Sequence, residues 1–328
     1  MKILVTGTTG HLGEAIARIL TNQNREYVGV DLLASPYTTH VGNICDRSFV
    51  QQAMDGVDAI IHTATLHKPH VATHSKQAFV DTNISGTLNL LEVAIAHGIS
   101  PFIFTSTTST FGDRLRPPAG QPASWITEEV SPIPKNIYGA TKCAAEDLCQ
   151  LFFRNHQLPC LILKTSRFFL ENDDKKSLRD TYQDENLKAN EFLYRRLDLE
   201  DAALAHLLAL EKAANIGFAK YILSASSPFR PSDLEELNRD APKVVERLFP
   251  EYREIYQKLG WKMFPRIDRV YVNEKARQDL GWNPTYDFSF VLEQVKAHKD
   301  FLSPIARQVG TKPYHKEIFS EGPYPVNE

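Results

Sequence analysis

The sequence has few cysteines, and their arrangement excludes two classes of protein. Cys45, Cys143, Cys149 and Cys160 form no CxxC pair and show no metal-ligand spacing. A disulfide framework or a zinc site needs such spacing, so neither is expected. We interpret the four residues as free, mostly buried thiols of a protein in a reducing compartment.

Basic runs and long apolar runs are also lacking. The net charge is −3 and no basic block is present, which argues against a nucleic-acid partner. No stretch of 18 apolar residues exists, so neither a transmembrane helix nor a membrane partner is expected. The sequence begins directly with an apolar run and leaves no room for a signal peptide, so we expect a cytoplasmic protein. Its 328 residues are enough for one large α/β domain and a smaller lobe.

The first thirteen residues carry the strongest positive signal. An apolar run at 2–6 predicts a buried strand, and the helical pattern of 14–20 follows the segment GTTGHLG at 7–13. In a strand, glycine turn and helix of this kind, Gly7 allows the tight turn, Gly10 lets the main chain approach a pyrophosphate, and Gly13 lets the helix pack closely. The spacing therefore predicts a dinucleotide site at the positive end of the helix.

Asp31 supports this interpretation and indicates the cofactor. It ends a second apolar strand, 18 residues beyond Gly13, where a carboxylate can accept both hydroxyls of the adenosine ribose. Leu32 and Leu33 follow it, so no cation is available for a 2′-phosphate. NAD is therefore favoured over NADP.

Strands and helices alternate through the first two thirds of the chain. This alternation predicts a parallel sheet covered on both faces. The expected strands lie at 26–31, 40–44, 57–62, 102–105, 160–164 and 221–223, and the expected helices at 46–56, 77–97, 138–155 and 198–210. From residue 231 onward, short charged helices and aromatic islands at 249–252 and 261–266 indicate a smaller lobe, with a glycine-capped helix at 273–282.

Histidines are concentrated after the strand at 57–62. His62, His67, His70 and His74 fall within thirteen residues, but no carboxylate or cysteine accompanies them at ligand spacing. We therefore predict no metal and interpret them mainly as loop histidines. The segment follows a strand's carboxyl end, where open α/β sheets bind ligands, so His67 or Lys68 could contact an anionic substrate.

A tyrosine and a lysine are candidates for proton transfer. Tyr138 and Lys142 are four residues apart at the start of a predicted helix and so share a face. Such a pair is usually found on a protein surface. Here it follows a dinucleotide motif and a hydroxyl-rich run at 105–110 that comes after a strand, which favours a catalytic use.

These motifs together resemble the extended short-chain dehydrogenases/reductases of the NAD-dependent epimerase/dehydratase type. The resemblance rests on residues 6–13, Asp31, 60–64, 83–91, 102–107, 138–142 and 276–282, which span nearly the whole chain in the family's order. It implies an α/β fold, a Rossmann-like doubly wound parallel sheet with a smaller C-terminal substrate-binding lobe. The expected NAD-binding domain is 1–165 with a return near 198–225, and the expected substrate lobe is 166–197 and 226–302. Prolines among aromatic residues further predict an extended C-terminal arm at 303–328, and Tyr314, Phe319 and Tyr324 indicate that it packs on the protein.

The resemblance also implies roles for individual residues. Tyr138 is the implied acid/base, Lys142 lowers its pKa and holds the nicotinamide ribose, and Thr107 orients the substrate oxygen. An ammonium and an oxidised nicotinamide both favour a phenolate, which agrees with these roles. Ser106 and Thr108 are alternatives to Thr107. The expected NAD-binding residues are Gly7, Thr9, Gly10, His11, Leu12, Gly13, Asp31, Asn43, Ile44, Thr63, Ala64, Thr65, Asn83, Thr105, Tyr138 and Lys142.

The second half departs from the family pattern. Leu170 stands where nucleotide-sugar epimerases have an asparagine that contacts the nucleotide's phosphates, which argues against a nucleotide-diphosphate group on the substrate. Arg195 and Arg266 are candidates for anion binding. The expected substrate residues are His67, Lys68, Thr108, Arg167, Arg195 and Arg266.

The leading hypothesis is an NAD-dependent oxidoreductase or epimerase acting on a secondary alcohol of a sugar or sugar derivative. Alternatives are a nucleotide-sugar 4-epimerase proper and a non-catalytic NAD-sensing protein, although retention of Tyr138 and Lys142 argues against the latter. A dehydratase needs an additional acid/base pair, and Thr108 and Ser109 supply no carboxylate. The resemblance further implies a homodimer through helices 77–97 and 138–155.

Overall fold

Parallel strands form the centre of the molecule. The computed structural model describes residues 1–313, 317, 319 and 322. Within that part of the chain the strands are β1 (Ile3–Thr6), β2 (Tyr27–Asp31), β3 (His40–Val41), β4 (Ala59–His62), β5 (Phe102–Thr107), β6 (Ser124–Ile126), β7 (Cys160–Thr165), β8 (Phe218–Leu223) and β9 (Arg269–Tyr271). Seven of them form one parallel sheet in the order β3-β2-β1-β4-β5-β7-β8, while β6 and β9 pair separately. The predicted α/β class and doubly wound parallel sheet are confirmed.

Helices connect and cover the strands. They are α1 (His11–Asn22), α2 (Arg47–Ala53), α3 (Lys76–Val80), α4 (Gly86–His97), α5 (Ile137–His156), α6 (Lys176–Thr181), α7 (Asp184–Glu191), α8 (Leu199–Ile216), α9 (Leu234–Leu237), α10 (Ala241–Leu248), α11 (Tyr252–Leu259), α12 (Glu274–Leu280), α13 (Phe288–Lys296) and α14 (Pro304–Val309). A π-helical turn, Asp81–Ser85, joins α3 to α4, and 3₁₀ turns occupy Lys68–Ala72, Thr108–Leu115 and Pro231–Asp233.

The two faces of the sheet bury separate apolar layers. Successive strand residues point to opposite faces, so Ile3 and Val5 pack with α1, α8 and α14, whereas Leu4 packs with α2, α4 and α5. A third apolar cluster lies among α7, α10, α11 and α13 and contains Trp261 and Phe264 from a predicted aromatic island. This cluster is the core of the smaller lobe. Helix α12 packs instead with α8 on the main sheet, through Ala276 and Leu280.

Several predicted boundaries change in the structure. Strand β5 continues to Thr107, beyond the predicted end at Thr105, because its whole length pairs with β7 as far as Thr165. The edge strand β3 ends at Val41, earlier than expected, and α8 continues to Ile216. The predicted helix 77–97 is interrupted by the π turn, and the proline-rich loop at 113–136 contains the unpredicted strand β6.

Part of the predicted C-terminal arm can be described. Lys312 donates its backbone N–H to the Glu171 carboxylate at 2.6 Å, and Phe319 forms an antiparallel bridge with Gly322. The predicted packing of the arm involves Tyr314 and Tyr324, and both lie outside the described residues. Among the described helices, none is long and apolar enough to cross a membrane.

The predicted state of the thiols agrees with the structure. All four cysteines are free. Cys149 and Cys160 are buried between α5 and β7, while Cys45 and Cys143 are half-buried.

His206 joins α8 to β5 in the interior and makes stability depend on pH. Its Nδ1 contacts the Ala202 carbonyl at 2.7 Å and its Nε2 contacts the Thr105 hydroxyl at 2.9 Å. Burial lowers the pKa of His206 to about 4. The unfolded chain, with an ordinary pKa near 6.5, therefore binds a proton that the folded chain refuses, so stability falls as the pH drops from about 6.5 towards 4.

We expect His206→Gln to reduce this pH dependence. Between pH 7.5 and pH 5 the parent should lose about 2 kcal/mol of unfolding free energy through His206 alone, and the variant should not. Urea unfolding at both pH values measures the difference. The exposed His97→Gln variant is the control and should keep the parent's slope. Equal slopes in the parent and His206→Gln would contradict the prediction.

Candidate active site

The glycine turn after β1 is held by contacts that side chains would prevent. Gly7 has a φ of +78°, and its N–H donates to the Val30 carbonyl at 2.7 Å. A Cβ atom on Gly13 would lie 2.0 Å from the Gly7 carbonyl oxygen, so α1 packs directly on the turn. A Cβ atom on Gly10 would come no closer than 3.3 Å to a described atom. Gly10 is thus the glycine whose surroundings leave room for a ligand.

Asp31 lies beside this turn at the end of β2. Its carboxylate accepts the Thr9 N–H at 2.9 Å and the Leu33 N–H at 3.1 Å, which fixes its orientation. A helix N-terminus can hold phosphates, and a carboxylate at this distance along the fold can accept ribose hydroxyls. The turn, the first N–H groups of α1 and Asp31 therefore fit the pyrophosphate and adenosine ribose of NAD.

A large cavity of about 2000 Å³ begins at the turn and continues along the carboxyl ends of the strands. Small-molecule sites usually measure roughly 300–1000 Å³. The cavity can therefore accept a second ligand beside a dinucleotide. The predicted cofactor residues that line it are Gly7, Thr9, Gly10, His11, Leu12, Gly13, Asp31, Asn43, Ile44, Thr63, Ala64, Thr65, Thr105 and Tyr138.

Asn83 does not line the cavity but supports its wall. It lies in the π-helical turn, is buried, and donates to the Leu66 carbonyl at 2.9 Å and to the Thr141 hydroxyl at 3.0 Å. Its own amide oxygen accepts the Leu66 N–H at 2.9 Å. Asn83 thereby attaches the segment after β4 to α5. Its contacts are those of a residue that supports the cavity wall.

Tyr138 is positioned by the start of α5. Asn136 caps the helix by accepting the Gly139 N–H at 3.1 Å. Tyr138 is 9% exposed, and the side chain of Thr107 lies close enough to the phenol to favour its charged form. Burial raises the pKa of Tyr138 to about 12, and Thr107 only partly opposes this. The protein groups alone therefore keep the phenol protonated near neutral pH.

Lys142 lies one turn further along α5 and is buried beneath the cavity wall. Its Nζ lies 4.0 Å from the centroid of the Phe104 ring. Burial lowers the pKa of Lys142 to about 7, while the carboxylate of Glu146 opposes the shift. The lowering of the Tyr138 pKa by Lys142 stays a prediction for the complex with oxidised nicotinamide.

The hydroxyl-rich end of β5 separates into different contacts. Thr107 and Thr108 are buried and line the cavity, and Thr107 Oγ1 accepts the Ser109 N–H at 3.1 Å. Ser106 donates its hydroxyl to Glu146 at 2.5 Å, away from Tyr138. Thr107 is therefore the member of this run that contacts the phenol.

Every predicted substrate residue lines the same cavity, but the charged ones differ in how far protein carboxylates already pair with them. The Lys68 ammonium is 2.6 Å from the Asp174 carboxylate, and Arg167 is 3.0 Å from Asp173. Arg266 is exposed. The full set is His67, Lys68, Thr108, Arg167, Arg195 and Arg266.

Arg195 belongs to a buried network around Glu191. Burial would raise the pKa of Glu191, but Arg195, Arg196 and Arg167 together lower it to about 2. Glu191 accepts a hydrogen bond from Arg195 and another from Arg196 at 2.9 Å. Much of the charge of these arginines is therefore balanced by a protein carboxylate.

The predicted loop histidines differ in their surroundings: His62 is in the interior of the sheet, and His67 and His70 contact each other in the turn after β4. His62 is buried, and its ring nitrogens contact the hydroxyls of Thr6 at 2.7 Å and Thr87 at 3.0 Å. His70 Nδ1 accepts the His67 N–H at 3.0 Å. Among the described residues, no group of three or more histidine, cysteine, aspartate or glutamate side chains is arranged to hold a metal ion.

Two residues near the site were not predicted from the sequence. Glu146 lies one turn beyond Lys142 on α5, and Lys164 lies on β7. Their ion pair measures 2.5 Å and is almost fully buried. The four-residue series Tyr138, Lys142, Glu146 is the signal that could have identified the glutamate, and a lysine within an apolar strand could have identified its partner.

Comparison with known proteins identifies a matching family model. Residues 3–219 match the model of the NAD dependent epimerase/dehydratase family. The UDP-glucose 4-epimerase of Streptomyces lividans is 28% identical, over 87% of this chain and 92% of that protein. The dTDP-glucose 4,6-dehydratase of Neisseria meningitidis serogroup B is 30% identical, over 88% of this chain and 90% of that protein.

Other matches cover less sequence or show the fold alone. An uncharacterized protein of Sinorhizobium fredii is 32% identical over 49% of this chain, which spans only 39% of that relative's length. A short-chain dehydrogenase/reductase superfamily protein from Agrobacterium tumefaciens, solved with bound NAD, has a TM-score of 0.65. It covers 94% of this chain and 98% of its own at 22% identity. The fold is therefore shared along nearly the whole chain.

The glycine turn generates a test that separates binding from folding. Gly10→Ala should lower the thermal midpoint much less than Gly13→Ala, because the added methyl group would lie 3.3 Å from the Gly7 carbonyl oxygen in the first variant and 2.0 Å from it in the second. It should weaken NAD binding at least tenfold, since the methyl group occupies the approach of the pyrophosphate. Isothermal titration and thermal melting measure both effects. Gly13→Ala is the contrasting variant and should lower the midpoint, and unchanged NAD affinity in Gly10→Ala would contradict the assignment.

Proposed function

The chain belongs to the NAD dependent epimerase/dehydratase family, and we propose that it oxidises a secondary alcohol of a sugar or sugar derivative by hydride transfer, with Tyr138 as the acid/base. One observation carries the proposal. The Tyr138 hydroxyl meets Thr107 in the wall of the cavity that begins at the glycine turn. A substrate alcohol bound there would lie between a proton acceptor and a cofactor site.

The residues around this point divide the chemical work. NAD, when bound, supplies the hydride acceptor. Tyr138 takes the proton from the substrate hydroxyl, and Thr107 hydrogen-bonds to the same oxygen and orients it. Lys142, one turn below, contributes a positive charge that favours the phenolate and an ammonium able to bond a ribose hydroxyl.

Oxidation followed by return of the hydride to the other face of the sugar would be an epimerisation. Release of the reduced cofactor after the first step would instead make the protein a dehydrogenase. Of the two relatives that match over most of the chain, one is named an epimerase and the other a dehydratase, and the first name supports epimerisation. Dehydration is less well supported, because Thr108 and Ser109 follow Thr107 where an added acid and base would be needed.

The substrate end of the cavity supports an anionic group on the sugar. Arg195, Arg266 and Arg269 all line the cavity, and Arg266 is exposed there, whereas Arg195 is paired with Glu191 and Arg269 with Asp268. Guanidinium groups bind phosphates in two-point hydrogen bonds. Since both near-full-length relatives are named for nucleotide-linked sugars, we propose a nucleotide-diphosphate group there, despite Leu170. The predicted homodimer stays a prediction.

The central experiment replaces the phenol. Tyr138→Phe should lower turnover by about 10²- to 10⁴-fold, because general acid–base catalysis contributes that much, while NAD binds as in the parent. UDP-glucose and dTDP-glucose serve as substrates, with NMR detecting an epimer and absorbance detecting reduced cofactor. Tyr27→Phe, at the start of β2, is the matched control. Parental turnover in Tyr138→Phe would refute the proposal.

A second experiment tests the anionic group. Arg266→Ala should raise KM for a nucleotide sugar about tenfold, the value of one charge-assisted hydrogen bond, and leave kcat nearly unchanged. KM for the free sugar, which lacks the phosphates, should not change. Arg154→Ala, on the exposed end of α5, is the control. Equal changes in KM for both substrates would argue against a phosphate contact at Arg266.

A further inference from the structure

A charged pair occupies an interior position that the fold would normally fill with apolar side chains. Lys164 follows Cys160 and Ile162 on the side of β7 that packs against α5, and its side chain is 2% exposed. Glu146 on α5 meets it at 2.5 Å and is 1% exposed. Burial of two charges is costly, and an apolar pair of similar volume is often as stable. Scaffolding alone therefore does not explain the pair.

Hydrogen bonds connect the pair to the end of β5. Glu146 accepts hydrogen bonds from the Ser106 hydroxyl at 2.5 Å and the Lys220 ammonium at 3.0 Å. Lys164 also donates to the Thr110 hydroxyl at 2.9 Å, and Thr110 donates to the Thr107 carbonyl at 2.8 Å. The network thus holds the residues on both sides of Thr107.

The same pair lies next to the buried ammonium of Lys142. Tyr138, Lys142 and Glu146 follow one another at four-residue steps on one face of α5, so each is a neighbour of the next. Phe104 is the only aromatic ring recorded over the Lys142 ammonium in the described residues. Glu146, four residues further along α5, is the acidic neighbour of Lys142 on this face of the helix.

We propose that Glu146 and Lys164 are positioning residues that set the charge state of Lys142 from opposite directions and hold Thr107 against Tyr138. The inference rests on the proposed function, because it concerns the same catalytic pair. Glu146 favours the ammonium form of Lys142, and Lys164 disfavours it.

The groups that face Lys142 make the direction of each effect definite. Burial has the largest effect and lowers the pKa of Lys142, while Glu146 raises it and Lys164 lowers it. His62 and His67 also face Lys142, but burial lowers the pKa of each well below its usual value, so they stay uncharged. The titratable side chains that face Lys142 are Tyr138, Glu146 and Cys149 on its own helix, Lys164 on β7, His62 on β4, and His67 in the loop that follows.

The test follows the alkaline limb of kcat/KM, where Lys142 loses its proton. Glu146→Gln should move the midpoint of this limb down by about one pH unit. Lys164→Met should move the midpoint up, because it removes a positive charge that disfavours the ammonium. Lys220 and Ser106 still stabilise the Glu146 carboxylate in this variant. The double variant should return close to the parent's midpoint. Glu146→Asp, which keeps the charge, should rescue the midpoint of Glu146→Gln.

The outcomes separate this proposal from a packing role and from the proposed function. Loss of activity at all pH values with an unmoved midpoint, or shifts of the same sign in both single variants, would overturn the proposal. If Glu146→Gln does not fold, Lys164→Met carries the test on its own. It should move the midpoint up, and a fixed midpoint would overturn the proposal. Parental turnover in Tyr138→Phe would instead overturn the proposed function.

Discussion

The close contact of α1 with the end of β1 is the constraint on which the rest of the site depends. The Gly13 Cα lies so near the Gly7 carbonyl that a methyl group would come within 2.0 Å of the oxygen. This contact places the helix N-terminus at the carboxyl edge of the sheet. Because β4, β5 and β7 run parallel to β1, their ends reach the same edge and bring Thr63, Thr107 and Ser166 to one cavity.

Convergence of the strand ends also explains why burial dominates the chemistry. Tyr138 and Lys142 are buried at this edge, so they have little contact with water. Charged forms are then disfavoured, which lowers the pKa of Lys142 to about 7 and raises that of Tyr138 to about 12. The network of Glu146, Lys164 and Lys220 supplies fixed charges where water would otherwise act.

The parts of the site that depend on short sequence motifs could be predicted from the sequence. The glycine turn, Asp31 and the Tyr138–Lys142 spacing follow from strand, turn and helix geometry, and the alternation of elements was sufficient for the parallel sheet. The extension of β5 to Thr107, strand β6 and the Glu146–Lys164 pair depend on contacts between segments far apart in sequence. From the sequence alone, Lys164 is only the last residue of an apolar strand. Its partner becomes evident when β7 is seen to pack against α5.

The pKa values of the two catalytic candidates, Tyr138 and Lys142, are shifted in opposite directions, so their charge states depend on what else is bound. A phenol with a pKa of about 12 remains protonated near neutral pH, and an amine with a pKa of about 7 is only partly charged there. Positive charge brought next to the phenol lowers its pKa, so an oxidised nicotinamide would favour the phenolate in a way the protein groups do not. The same positive charge would deprotonate Lys142 further unless an anion opposes it. In the proposed role of Glu146, its carboxylate would supply that anion one turn along α5, and the ammonium of Lys142 would then persist beside a positively charged cofactor.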